Sequence, residues 1–163
     1  MSLLELLAGL AITLIVAMLA LQATSEPMAR QAVEGASRRL AQGLELGRSE
    51  ARRLSQPCAL KLAPEGWIAP TDPALPPCRR ALLSLGEPLT RRVQLLHNVP
   101  ASVRFSRRGL VIDGGTVVIT AAGTPLRRCL VLALPRGVVR LGRYLGDVAQ
   151  PPDSGACKPD PSL

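Results

Sequence analysis

The feature that most constrains this chain is an uncharged apolar run near its start. Residues 6–21 read Leu-Leu-Ala-Gly-Leu-Ala-Ile-Thr-Leu-Ile-Val-Ala-Met-Leu-Ala-Leu. Together with Leu3 and Leu4 they approach the length a helix needs to span the hydrocarbon layer of a bilayer, so residues 1–24 are expected to form a membrane helix. A secretory signal peptide would carry basic residues ahead of the run and a small-residue cleavage site after it, and no basic residue precedes this one. An acid, Glu5, stands there instead. A carboxylate at the end of an apolar helix is costly in lipid unless it is paired. With no Lys or Arg nearby, the candidate partner is an N-terminal ammonium, its own or that of an adjacent copy.

The chain has 163 residues, which leaves material for one small domain after the apolar run. In residues 25–56 Val33, Ser37, Leu40, Leu44, Gly47, Ala51 and Leu54 recur at spacings of four and three, the pattern of an amphipathic helix. Glu34–Arg38 and Glu45–Arg48 are spaced to pair along it. Gly35, Gly43 and Gly47 weaken its propensity but admit close neighbours. Pro27 should kink the helix or start its second half, and Ser55-Gln56-Pro57 should end it.

From residue 57 to 150 the texture changes to short apolar runs divided by Gly and Pro, which reads as β structure. The expected strands are 58–62, 66–69, 93–96, 102–106, 110–113, 116–120, 129–134 and 138–141. A tight hairpin is expected at Asp113-Gly114-Gly115. Residues 70–88 form a proline-rich loop and 151–163 an irregular tail. Trp67, Phe105 and Tyr144 are the aromatic residues, so Leu, Val, Ile and Ala must supply most of the core, with Trp67 expected inside it.

Cys58, Cys78, Cys129 and Cys157 are widely spaced and the single histidine is His97, a poor set for structural zinc. Behind an apolar N-terminus, four scattered cysteines favour disulfides. Three pairings are open; Cys58–Cys78 with Cys129–Cys157 is the working choice. No nucleophile motif, phosphate-binding glycine loop or paired carboxylates point to catalysis. No enzyme activity, metal or cofactor is expected. The net charge of +8, almost all from arginine, suits anionic partners such as nucleic acid, lipid head groups or an acidic protein.

The start Met1-Ser-Leu-Leu-Glu5-Leu-Leu-Ala-Gly-Leu-Ala-Ile resembles the processed N-terminus of type IV pilins and pseudopilins. Residues 40–57, above all Arg48-Ser49-Glu50-Ala51, together with Gly66-Trp67, Arg108-Gly109 and the late Arg-Cys-Leu-Val-Leu strand, are similar to the pseudopilin H and FimT group. The resemblance implies an α+β fold: a long N-terminal helix, membrane-spanning in its first half, packed on a small antiparallel β-sandwich-like domain. It implies cleavage by prepilin peptidase ahead of a methylated Met1, and docking of Glu5 against the N-terminus of a neighbouring subunit. The expected partners are other pilins or pseudopilins and the bacterial inner membrane, with the globular domain in the periplasm. Whether the filament is a type II secretion pseudopilus or a type IV pilus stays open.

FimT-like minor pilins bind DNA through a C-terminal Gly-Arg-x-Arg motif. The similar stretch here is Arg136-Gly137-Val138-Val139-Arg140-Leu141-Gly142-Arg143, in which Val138 replaces the first motif arginine. Arg136, Arg140 and Arg143 are the candidate phosphate contacts. Arg104, Arg107, Arg108, Arg127 and Arg128 would extend the patch if they shared its face.

Overall fold

A computed structural model describes Glu5, Leu7 and residues 9–15, 25–134 and 138–160. The main helix, α1 (Ser25–Leu54), lies against two antiparallel sheets. The first has the strand order β2-β1-β4, built from β1 (Cys58–Ala63), β2 (Gly66–Ile68) and β4 (Val103–Phe105). The second has the order β3-β5-β6-β7-β8, from β3 (Val93–His97), β5 (Gly115–Ala121), β6 (Arg128–Ala133), β7 (Val138–Tyr144) and β8 (Cys157–Lys158). A short helix, α2 (Glu87–Thr90), precedes β3. The α+β class is as expected, whereas the sandwich is not what organises it. Strands β1 to β7 each pack on α1 more extensively than any strand of one sheet packs on a strand of the other.

The stripe of α1 is buried as its periodicity requires: Val33, Ser37, Leu40, Leu44, Gly47 and Ala51 all lie inside, joined by Ala29, Ala32, Ala36 and Gly43. Leu54 departs from the pattern and is 46% exposed, because the helix ends there and Ser55 turns the chain away with φ 51°. The small residues are the seats of the two largest core rings. A Cβ on Gly43 would stand 2.2 Å from Cδ1 of Trp67, and one on Gly47 would stand 3.0 Å from Cε2 of Phe105. Trp67 is 1% exposed, and its indole N–H donates to the carbonyl of Leu40 at 2.8 Å. The ring is thus fixed both by packing and by a bond to the helix that carries its seat.

The Asp113-Gly114 hairpin does not form. Residues 110–113 instead run beside β4, with a bridge between Phe105 and Val111 and Ile112 N–H donating to the Arg104 carbonyl at 2.9 Å. The Asp113 carboxylate takes 2.8 Å bonds from Nε and Nη2 of Arg104 and a 3.0 Å bond from its backbone N–H. The chain then crosses at Gly114-Gly115 to the other sheet, where β5 pairs with β3 and β6. Two glycines that read as a turn therefore serve as a sheet-to-sheet crossover.

Both disulfides of the working choice are present, Cys58–Cys78 and Cys129–Cys157. They close chain separations of 20 and 28 residues, each contributing about 3 kcal/mol by restricting the unfolded chain. The tail, expected to be irregular, contains a 3-10 turn at Ser154–Ala156 and then β8, which pairs with the end of β7.

A second tie joins the helix, the sheet and the tail. Arg128, 2% exposed, sends Nε and Nη2 to Oε1 of Glu34 at 3.1 and 2.5 Å and Nη1 to Oδ2 of Asp160 at 2.5 Å. Burial works against the charge of this guanidinium, but its bonds to Glu34 and Asp160 outweigh that and hold its pKa above the ordinary arginine value. Glu34 thus serves Arg128 and not Arg38, its expected partner along the helix. The other expected pair, Glu45–Arg48, is present at 3.5 Å.

Three stability outcomes follow from this packing. Gly43→Ala should lower the unfolding free energy, since overpacking a closed site costs about 1–3 kcal/mol against about 1 kcal/mol regained in helix propensity; denaturant titration followed by Trp67 fluorescence reads the balance. Arg128→Ala leaves two carboxylates without their cation and should cost about 3–5 kcal/mol, with Glu34→Gln, which retains an acceptor, costing less. The Arg104 side-chain hydrogen bond holds Asp113 below the usual carboxylate range. A lowered pKa contributes stability above the unfolded value and loses it as pH falls through the folded one. The deficit of Asp113→Asn in thermal unfolding should therefore be full at neutral pH and vanish in acid.

Candidate assembly and binding sites

The candidate sites fall at the two ends of the chain. At the first, Glu5, Leu7 and residues 9–15 have helical backbone. Their apolar side chains face outward: Leu7 is 62% exposed, Leu10 53%, Ile12 62%, Leu14 58% and Ile15 60%. A Cβ on Gly9 would meet no atom within 4 Å. Nothing in the described chain covers this surface, whose composition follows directly from the uncharged run. Glu5 is exposed on the same stretch. Met1 lies outside the described residues. Among the described residues, no helix is long and apolar enough to cross a membrane; much of the apolar run lies outside them.

At the other end, Arg136 is outside the described residues, while Arg140 and Arg143 are both exposed on β7. They do not share a face. Side chains alternate along a strand, so positions three apart point to opposite sides. Val139 and Leu141 pack on the core beside α1, whereas Tyr144 belongs to a cluster with Val118 and Cys129 on the far side of the sheet. Arg143 is registered against Arg128 and Arg140 against Val131, so Arg143 takes the α1 side and Arg140 the outer one.

The arginines that would have extended the patch are dispersed as well. Arg104 is held by Asp113, Arg127 donates to the Gly146 carbonyl at 3.0 Å, and Arg128 is buried in its ion pairs. Arg107 and Arg108 are exposed in a turn whose Gly109 abuts Arg48 and Arg52 near the end of α1. The helix position that holds Arg128 is Glu34, about 21 Å from Arg48 at 1.5 Å per residue. The positive charge is therefore spread around the domain.

Two features escaped the sequence reading. One is the Glu34–Arg128–Asp160 set, whose members are 94 and 32 residues apart; the sole sequence signal was an arginine beside an apolar strand. The other is a cavity of about 410 Å³ between β1 and β3, lined by Leu62, Ala63, Pro64 and residues 93–97. His97, the one histidine, is exposed at its rim as the last residue of β3.

No curated protein and no solved structure matches the chain. A model of the family described as type II transport protein GspH matches residues 36–135. The matched region runs from the second third of α1 through the end of β6 and contains Gly43, Gly47, Trp67, Phe105 and the Cys58–Cys78 disulfide. Glu5, Arg140 and Arg143 fall outside it. The match takes in more than half of the sequence, and on that basis the chain belongs to the GspH family of type II transport proteins.

Proposed function

We propose that the protein is a minor pseudopilin: a filament subunit of a type II secretion system, held in the bacterial inner membrane by its N-terminal helix and carrying its globular domain in the periplasm. The observation that carries this reading is the apolar stretch around residues 7–15, with five large side chains more than half exposed. Such a surface costs about 25 cal/mol per Å² in water, so it must be covered by lipid, by other helices, or by each in turn. GspH membership narrows the choice to a secretion filament, in which lipid would cover the helix before assembly and neighbouring helices after it. Glu5 would then find the N-terminal ammonium of the adjacent subunit in a medium where an unpaired carboxylate is strongly disfavoured. Two disulfides suit a domain exposed to the oxidising periplasm.

The remaining parts of the reading are processing by prepilin peptidase and methylation at Met1, both features of the pilin class that the N-terminus resembles. A structural role fits an organisation in which the largest buried groups serve packing and the ion pairs serve cohesion. The alternative, DNA capture in a competence pilus, asks Arg140 and Arg143 to grip one backbone from opposite faces of a strand, and the secretion role has the better support.

Glu5→Ala should reduce recovery of the subunit in filaments at least severalfold while leaving the unfolding transition of the globular domain unchanged. Wild-type incorporation of that variant would refute the docking role. Mass spectrometry of the N-terminal peptide from native membranes should find Met1 methylated; an unmodified Met1 would remove the processing step from the proposal.

A further inference from the structure

The fold covers several edges of its sheets and leaves β3 open along its full length. The outer side of β2 is taken by residues 83–85, through a Gly66–Ser84 bridge, a 3.2 Å bond from Trp67 N–H to the Leu83 carbonyl and a 2.8 Å bond from Leu85 N–H to the Glu65 carbonyl. Beside β4 runs the 110–112 segment, and the two-residue β8 pairs with Arg143 and Tyr144 at the end of β7 and forms the sheet's other edge. The five-residue β3 pairs on one side only, with β5.

The direction of its free groups follows from the ladder. Asn98 N–H donates to the Thr116 carbonyl at 3.1 Å, so in the alternating antiparallel pattern Asn98, Leu96 and Gln94 turn their backbone groups toward β5. Those of Val93, Leu95 and His97 point outward, and no partner for them occurs among the described residues. The edge borders the 410 Å³ cavity whose opposite wall is Leu62, Ala63 and Pro64. An open edge of this kind is a template for an added strand.

Charge indicates what would occupy it. Arg91 and Arg92 stand exposed immediately before β3. Glu87 answers Arg91 at 2.9 Å, and Arg92 has no ion-pair partner among the described residues. Lys61 and Glu65 flank the far wall in sequence, with Lys61 bonded to Thr71 at 2.8 Å. The whole chain carries +8.

We propose that β3 is a docking edge for an extended segment of a partner protein, a strand of alternating apolar residues whose end carries carboxylates. It pairs antiparallel with Val93, Leu95 and His97, places alternate side chains in the cavity, and sets its acidic end against Arg92. This inference does not depend on the secretion role, since it concerns the domain surface alone.

The test uses the full chain in detergent micelles and a fluorescent nine-residue peptide of alternating Val and Thr ending in two Asp. Saturable binding is expected, with amide exchange at Leu95 and His97 slowed at least tenfold by the peptide. N-methylation of alternate peptide residues on the pairing edge should abolish binding, and Arg92→Glu should weaken it severalfold. Equal affinity for the N-methylated peptide, or unchanged exchange at Leu95 and His97, would overturn the proposal. Protection that grows with chain concentration without peptide would assign the edge to a second copy, and protection by micelles alone would assign it to lipid; either result also overturns it.

Discussion

Everything in the domain rests on how closely α1 approaches the sheets, and two glycines set that approach. Gly43 lets the Trp67 ring lie against the helix backbone, and Gly47 does the same for Phe105. A chain with three aromatic residues cannot fill a thick core, so it brings its layers together instead and packs the space with two rings and many small aliphatic groups. The Trp67 N–H to Leu40 bond then makes the arrangement directional. The same glycines weaken the intrinsic helix propensity of α1, so the element the sheets need most also depends on them.

This arrangement separates what the sequence disclosed from what it withheld. The helical stripe was legible because a period near 3.6 needs no partner to be recognised, and seven strands were placed to within a few residues because β-branched runs end at Gly and Pro. The 110–119 hairpin was misread because Gly-Gly permits both a tight turn and a crossover, and the contacts that accompany the crossover, the Phe105–Val111 bridge and the Arg104–Asp113 pair, lie in β4 and outside the local pattern. Glu34 shows the same limit more sharply. Arg38 is one helical turn away, yet the buried guanidinium of Arg128 took the carboxylate, and no local pattern encodes a contact between residues 94 apart.

For the sites, the apolar N-terminal run was evident from composition alone. The arginines were not, since their spacing on β7 seemed to group them and strand alternation then divided them. The open edge of β3 was invisible for a different reason: an edge is defined by what fails to lie beside it, which depends on the whole topology. A charge count can name the sign of a partner, but the place where it binds is set by the strand order.

The Glu34–Arg128–Asp160 cluster also orders events in time. The helix leaves the ribosome ahead of the cation that neutralises Glu34, which follows 94 residues later, about 5–20 s at ordinary rates of synthesis. Within that interval Trp67 and then Phe105, the rings that fill the glycine seats of α1, are added, while its ion pair is still missing. The last contact to arrive, from Asp160, comes with the strand that Cys157 joins to β6. The tie between helix, sheet and tail is therefore complete only when Asp160 has been made, long after the helix it secures.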